Sequence, residues 1–256
     1  MIDSRILGRR KITSRLYQVI LAGKASQRLL QNFVIHRIPI KSLWTRNILG
    51  IAARVEDNYL RTALVKNIYE EETGAFSKTA RHLETFFRFG EAVGGSRQAM
   101  LNPVILLETK ALMDHNLLAC NSDVHFTAGV ASVLLLMEGQ PPILSPEGHS
   151  MEAVMRDVYK LPPSGVQFFS LHASRVESNS VSELEDEHAD LARELLRVYC
   201  TTEELQQQAI SFLETAIELR HLHYEAIYTG FYSPDEELFR WPGRAESVLA
   251  EAVSTL

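Results

Sequence analysis

The chain has 256 residues, 46% of them hydrophobic, and a formal net charge of −6. That length buries a substantial core, and its scattered lysines and arginines lack the clustered basic face that a nucleic-acid binder needs. Cys120 and Cys200 are the only cysteines, too few for a disulfide framework, and they point to a reducing compartment.

The start, "MIDSRILGRRKITSRLYQVILAG", is basic but has no continuous apolar stretch, so no signal peptide is expected. Leu16, Ile20, Leu29 and Phe33 predict one long helix or two short ones. "SLWTRNILGIAAR" and "NYLRTALVKNIYEEE" carry apolar residues three and four apart. "ARHLETFFRFGEAV" does the same and should stop at Gly94-Gly95. "PVILLETKALMDHNLLA" opens on Pro103, expected at a first helical position. "VHFTAGVASVLLLMEG" is apolar nearly all round and predicts a buried central helix, ended by the turn Gly139-Gln140-Pro141-Pro142. Its run from Phe126 to Met137 is too short to cross a bilayer. "SMEAVMRDVY", "GVQFFSLHASRV" and "SELEDEHADLARELLRVY" continue the helical pattern. The last helix, "EELQQQAISFLETAIELRHLHYEAIYTGF", is preceded by a capping box from Thr201 to Glu204. No segment alternates as a strand. The expectation is one all-α domain over residues 1–256, eight to ten helices around an apolar central one, in a cytoplasmic protein with no membrane span.

Ionisable residues on core stripes carry the chemical information, because burying a charge without a partner is costly. Glu72 follows Ile68 by four and Val65 by seven. His82 precedes Phe86 by four. Glu138 follows Leu134 by four. His172 follows Phe168 by four. Glu185 and His188 are three apart, on the stripe of Leu191, Ala192 and Leu195. Each residue has a plainer reading alone: a core histidine bonded to a neighbour, a solvated helix-end glutamate, or, for Ser182-x-x-Glu185, a capping box. Together, three carboxylates and three imidazoles form a suitable mixed nitrogen–oxygen ligand set for two iron ions. His115, His125, His149, His221 and His223 have no partner at ligand spacing. Cys120 reads as a small buried hydrophobe.

"NIYEEETGAFSKTARHLETFF" resembles the signature of the haem-oxygenase-like diiron oxidases, the iron-containing redox enzymes. In that pattern a helix end with Asn, then Glu-x-Gly, precedes by ten residues (counted from the Glu) a histidine opening the next helix; Glu72-Thr73-Gly74 and His82 match that spacing. The Glu closing a central apolar helix matches Glu138 in "VLLLMEGQPP". An aromatic-rich helix with its histidine matches His172 in "QFFSLHASRV", and the later histidine matches His188. The superfamily also includes death-domain-associating makers of 4-aminobenzoate and fatty-acid decarboxylating and N-oxygenating oxidases. Thiaminase-like and quinone-cofactor-synthase-like proteins share its helical fold.

The family's two late histidines stand seven residues apart, whereas His172 and His188 stand sixteen apart. On an unbroken helix their rings would diverge by roughly 160°. The sequence therefore predicts an interruption near Ser178-Asn179-Ser180, or a histidine that is not a ligand. Glu185, Asp186 and Glu177 all remain open for the accompanying carboxylate.

The resemblance implies a haem-oxygenase-like bundle. It implies two Fe(II) ions held by Glu72, His82, Glu138, His172, Glu185 and His188, with O2 as co-substrate and an external electron donor. The substrate would be a small organic molecule of fatty-acid, amino-acid or aromatic-amine type, and a homodimer is expected by analogy. Arg54, Arg61 and Lys66 are the cations considered for a substrate carboxylate. Two rival readings share the fold: a cofactor-free enzyme using its histidines as acid–base groups, and a non-catalytic binding protein with an incomplete metal site.

Overall fold

The computed structural model describes residues 2–8, 10–121, 123–139, 144–145, 147–171 and 182–242; the side chains of 182–188 lie outside the description. In chain order the helices are α1 (Ile2–Gly8), α2 (Arg15–Leu21), α3 (Gln27–Ser42), α4 (Trp44–Ala52), α5 (Asn58–Thr73), α6 (His82–Ala92), α7 (Arg97–Leu101) and α8 (Leu107–Ala119). The chain continues with α9 (Thr127–Gly129), which runs through a π-helical segment (Val130–Leu135) into Leu136–Glu138. Then come α10 (Met151–Ala153, continuing as a π segment over Val154–Val158), α11 (Pro163–Leu171), α12 (Ser182–Tyr199) and α13 (Glu203–Phe231). Among the described residues there is no strand, only two isolated bridges, Ser26 with Leu238 and Leu144 with Ser150. The described helices outnumber the eight to ten expected because α1 and α7 are too short to show a periodicity of their own, and the first predicted stretch divides into α2 and α3.

Local chemistry sets the boundaries. Ser14, Ser26, Asp57, Ser96 and Ser150 each accept a backbone N–H three residues on, capping α2, α3, α5, α7 and α10. α13 is capped by Thr202, which accepts from Leu205, one residue later than the expected box from Thr201. α8 starts at Leu107 rather than at Pro103; the backbone turns at Asn102 (φ −129°, ψ 60°) and is not helical through 103–106. α5 ends at Gly74, whose φ of 63° is left-handed and where an added Cβ would lie 2.5 Å from the Thr79 carbonyl oxygen.

Two apolar clusters form the core. One gathers Leu16, Leu30, Phe33, Phe86, Phe89 and Tyr224 from α2, α3, α6 and α13. The other gathers Ile51, Leu64, Val130, Leu134, Leu195 and Leu213 from α4, α5, α9, α12 and α13. α13 crosses both, and burying each such side chain contributes roughly 1.5–3 kcal/mol. The 130–135 segment is buried at every position, as the apolar run predicts. Its π turns carry an extra residue each, a feature frequent at functional sites. Ser132 joins the wall by donating its hydroxyl to the Ala128 carbonyl at 2.7 Å. Among the described residues, no helix is long and apolar enough to cross a membrane.

Candidate functional site

A cavity of about 340 Å³ opens where the two clusters meet. α3 contributes Phe33, Arg37 and Lys41, and α6 contributes His82 and Phe86. The π segment and its end contribute Ser132, Val133, Leu136 and Glu138; α13 contributes Arg220 and Tyr224. The end of α5 brings Glu71 and Glu72. Three of the six expected ligands, Glu72, His82 and Glu138, therefore line one cavity. His172 lies outside the described residues, as does the interruption expected at 178–180. Glu185 and His188 fall on the backbone of α12, but their side chains are outside the description.

The α5 end is arranged differently from the sequence expectation. Glu72 is not inward: its side chain is 49% exposed, accepts from the Thr45 hydroxyl and faces Arg81 at 4.0 Å. Glu71 faces the imidazole instead, its Oε1 3.0 Å from His82 Nδ1, and Glu70 Oε1 lies 3.5 Å from Nε2. The reason is helical phase. Val65, taken as a core position, is 50% exposed, whereas Leu60 and Leu64 are buried. Continuing the Leu60–Leu64 stripe by seven from Leu64 reaches Glu71.

Glu70 has a second task. It is 4% exposed, and its carboxylate accepts the backbone N–H groups of Phe76 and Ser77 at 2.6 and 3.1 Å. It thereby ties down the loop that delivers His82 to the head of α6. Burial opposes its charge, but these hydrogen bonds and the nearby His82 outweigh burial and hold the carboxyl below its ordinary range. At His82 burial favours the neutral ring, yet the hydrogen bond to Glu71 and the charges of Glu71 and Glu70 prevail and raise its pKa.

The opposite wall is cationic. Lys11 and Lys41 are lowered to about 8 and about 7, chiefly by burial, with Arg37 adding repulsion and Glu138 partly restoring both. Arg37 donates from Nη1 to Tyr224 Oη at 2.9 Å. Burial raises the Tyr224 phenol, but Arg37, Lys11 and Arg220 more than reverse this and lower it. These residues went unnoticed in the sequence, although Arg37 follows Phe33 by four and Lys41 follows Arg37 by four. Of the cations considered there, Arg54 is spent on the carbonyls of Gly50, Cys120, Asn121 and Val124, Arg61 on those of Val55 and Glu56, and Lys66 is exposed. None of the three lines the cavity.

Among the described residues, no group of three or more histidine, cysteine or acidic side chains is gathered as a metal site. The donor types on the cavity wall, an imidazole with carboxylates, are nonetheless those that suit iron. Cys120 is a packed thiol: burial pushes it up to about 12, so it is not a nucleophile. His115 donates to the Phe212 carbonyl, and His125 and His223 are hydrogen-bonded to Thr127 and Thr109.

The family model for iron-containing redox enzymes matches residues 31–221. The chain belongs to this iron-containing redox enzyme family. Its fold is that of the haem-oxygenase-like proteins. A TenA homolog from Pseudomonas syringae pv. tomato is 14% identical, with a TM-score of 0.64, covering 89% of this chain and 88% of its own. A domain of unknown function with a heme oxygenase-like fold from Shewanella denitrificans is 16% identical, with a TM-score of 0.60, covering 90% and 88%. At these identities the likeness shows the fold alone. No curated protein matches the sequence.

Proposed function

We propose that this family member is a non-haem diiron oxidoreductase that uses O2 to oxidise a small organic substrate. The observation that carries this reading is the bracketing of the His82 imidazole by Glu70 and Glu71 on the wall of a cavity that Glu138 also lines. His82, Glu138 and a carboxylate of the 70–72 run would hold iron. Glu72 stands at the family spacing, and Glu71 lies against the imidazole. His172, His188 and one of Glu185, Asp186 or Glu177 would complete the set.

Bound Fe(II) supplies the electrons and open coordination positions for O2 reduction. The protein's share is positional. Glu70 fixes the loop and the tilt of His82. Phe86, Phe168 and Leu136 make a dry wall. Lys41, near neutral pH in its acidity, holds or releases a proton beside Glu71. An external donor would return the electrons.

The test is anaerobic loading with Fe(II), followed by rapid mixing with O2. A transient visible absorption and O2 consumption that depend on iron support the reading. Intact turnover by iron-free protein would favour a cofactor-free enzyme of the same fold.

A further inference from the structure

Several arginines on the outside of this protein find carboxylates: Arg15 pairs with Glu225, Arg28 with Glu236, and Arg97 with Glu84 and Glu91. Three cations of the cavity, Lys11, Arg37 and Lys41, break that habit. Among the described residues, no ion pair joins Lys11, Arg37 or Lys41 to a carboxylate. Yet Arg37 is 7% exposed. Arg37 meets a neutral phenol and the faces of the Phe33 and Tyr224 rings, 5.4 and 5.7 Å from their centroids. Lys41 Nζ sits 4.2 Å from the Phe168 centroid and 5.1 Å from that of Phe86. Cation–π contacts compensate only part of the lost hydration of a charge. Like charges crowded in a low-dielectric pocket are tolerated when an anion completes the set.

We propose that the cavity binds the anionic group of a small organic acid on the wall of Lys11, Arg37 and Lys41, with the acid's apolar body against Phe86 and Phe168. Carboxylate and phosphate share the needed chemistry. The aromatic rings that flank the cations select a head group joined directly to an apolar or aromatic body, rather than a free inorganic ion. Asn47, 3% exposed with an unpartnered Oδ1, also lines this cavity and offers an acceptor for a ligand N–H or O–H. That the anion is the substrate rests on the redox reading of the cavity; that it binds does not.

The experiment is calorimetric titration of metal-free protein with phenylacetate, phenyl phosphate and the neutral phenylacetamide. The acids should bind at least about tenfold more tightly than the amide, and the tighter of the two acids identifies the head group. That preference should shrink to about threefold or less in Arg37→Gln and in Lys11→Met. Lys11 lies in the short turn Lys11–Thr13, none of whose residues is fully buried, so its variant remains informative if Arg37→Gln does not fold. Equal affinity for the amide, no binding of any probe, or an acid preference that survives in a folded Lys11→Met variant would overturn the proposal. Acid binding without iron-dependent O2 consumption would leave the anion site standing and remove the redox reading.

Discussion

His82 Nδ1 lies 3.0 Å from Glu71 Oε1, while Glu72, one residue further along the same helix, turns away to Thr45 and Arg81. Adjacent glutamates thus have separate environments, and they should differ as iron ligands. Glu71→Ala should weaken Fe(II) affinity roughly tenfold or more, and Glu72→Ala by clearly less. Equilibrium dialysis of the two variants against Fe(II) under argon makes the comparison. Equal losses would return Glu72 to the role its spacing gives it.

Glu70 should behave as a structural anchor in metal-free protein. Glu70→Ala leaves two loop N–H groups without their acceptor, at a cost of about 1–3 kcal/mol, and should make the 75–81 loop the first site of limited proteolysis. Urea unfolding and mass spectrometry of the cut sites report both. An unchanged midpoint with no new cleavage would contradict the role.

Gly74→Ala places a side chain in left-handed backbone and against the Thr79 and Ala80 carbonyls. The expected loss is at least about 1 kcal/mol, again read by urea unfolding. Because the strain sits at the hinge between α5 and the His82 loop, iron affinity should fall with it.

The sequence made much of this legible. The apolar run ending in Glu138 announced a buried helix, and Gly94 and the Phe86–Phe89 stripe announced the extent of α6. Three things escaped, each for a physical reason. One exposed valine, Val65, shifted the assumed phase of α5 by a residue, so the sequence did not show that Glu71 lies against His82. The π turns at 130–135 insert residues that no 3.6-residue repeat reveals. The cationic wall comes from the Lys11–Thr13 turn and from helices far apart in sequence, and isolated lysines and arginines read as solvated until the fold brings them together.

His223 predicts acid sensitivity. It is fully buried, with Nδ1 on Thr109, and burial, then the nearby Arg37, pushes its pKa well below the ordinary histidine value. The folded state therefore keeps the ring neutral where the unfolded chain protonates it. Its contribution is intact above the unfolded value of about 6.5 and is lost as pH falls below that. His36, also lowered by burial, acts in the same sense. Thermal melts between pH 8 and pH 5 should show a steeper fall in Tm for the wild type than for His223→Gln; parallel curves would contradict this.

The central claim is that the cavity holds a pair of iron ions, and metal stoichiometry tests it most directly. Protein reconstituted anaerobically with Fe(II), desalted and analysed for iron and for Mössbauer signature should carry two ions per chain, with most of that iron lost in His82→Ala. Iron at background level in the wild type, or a His82→Ala variant that loads like the wild type, would contradict the account.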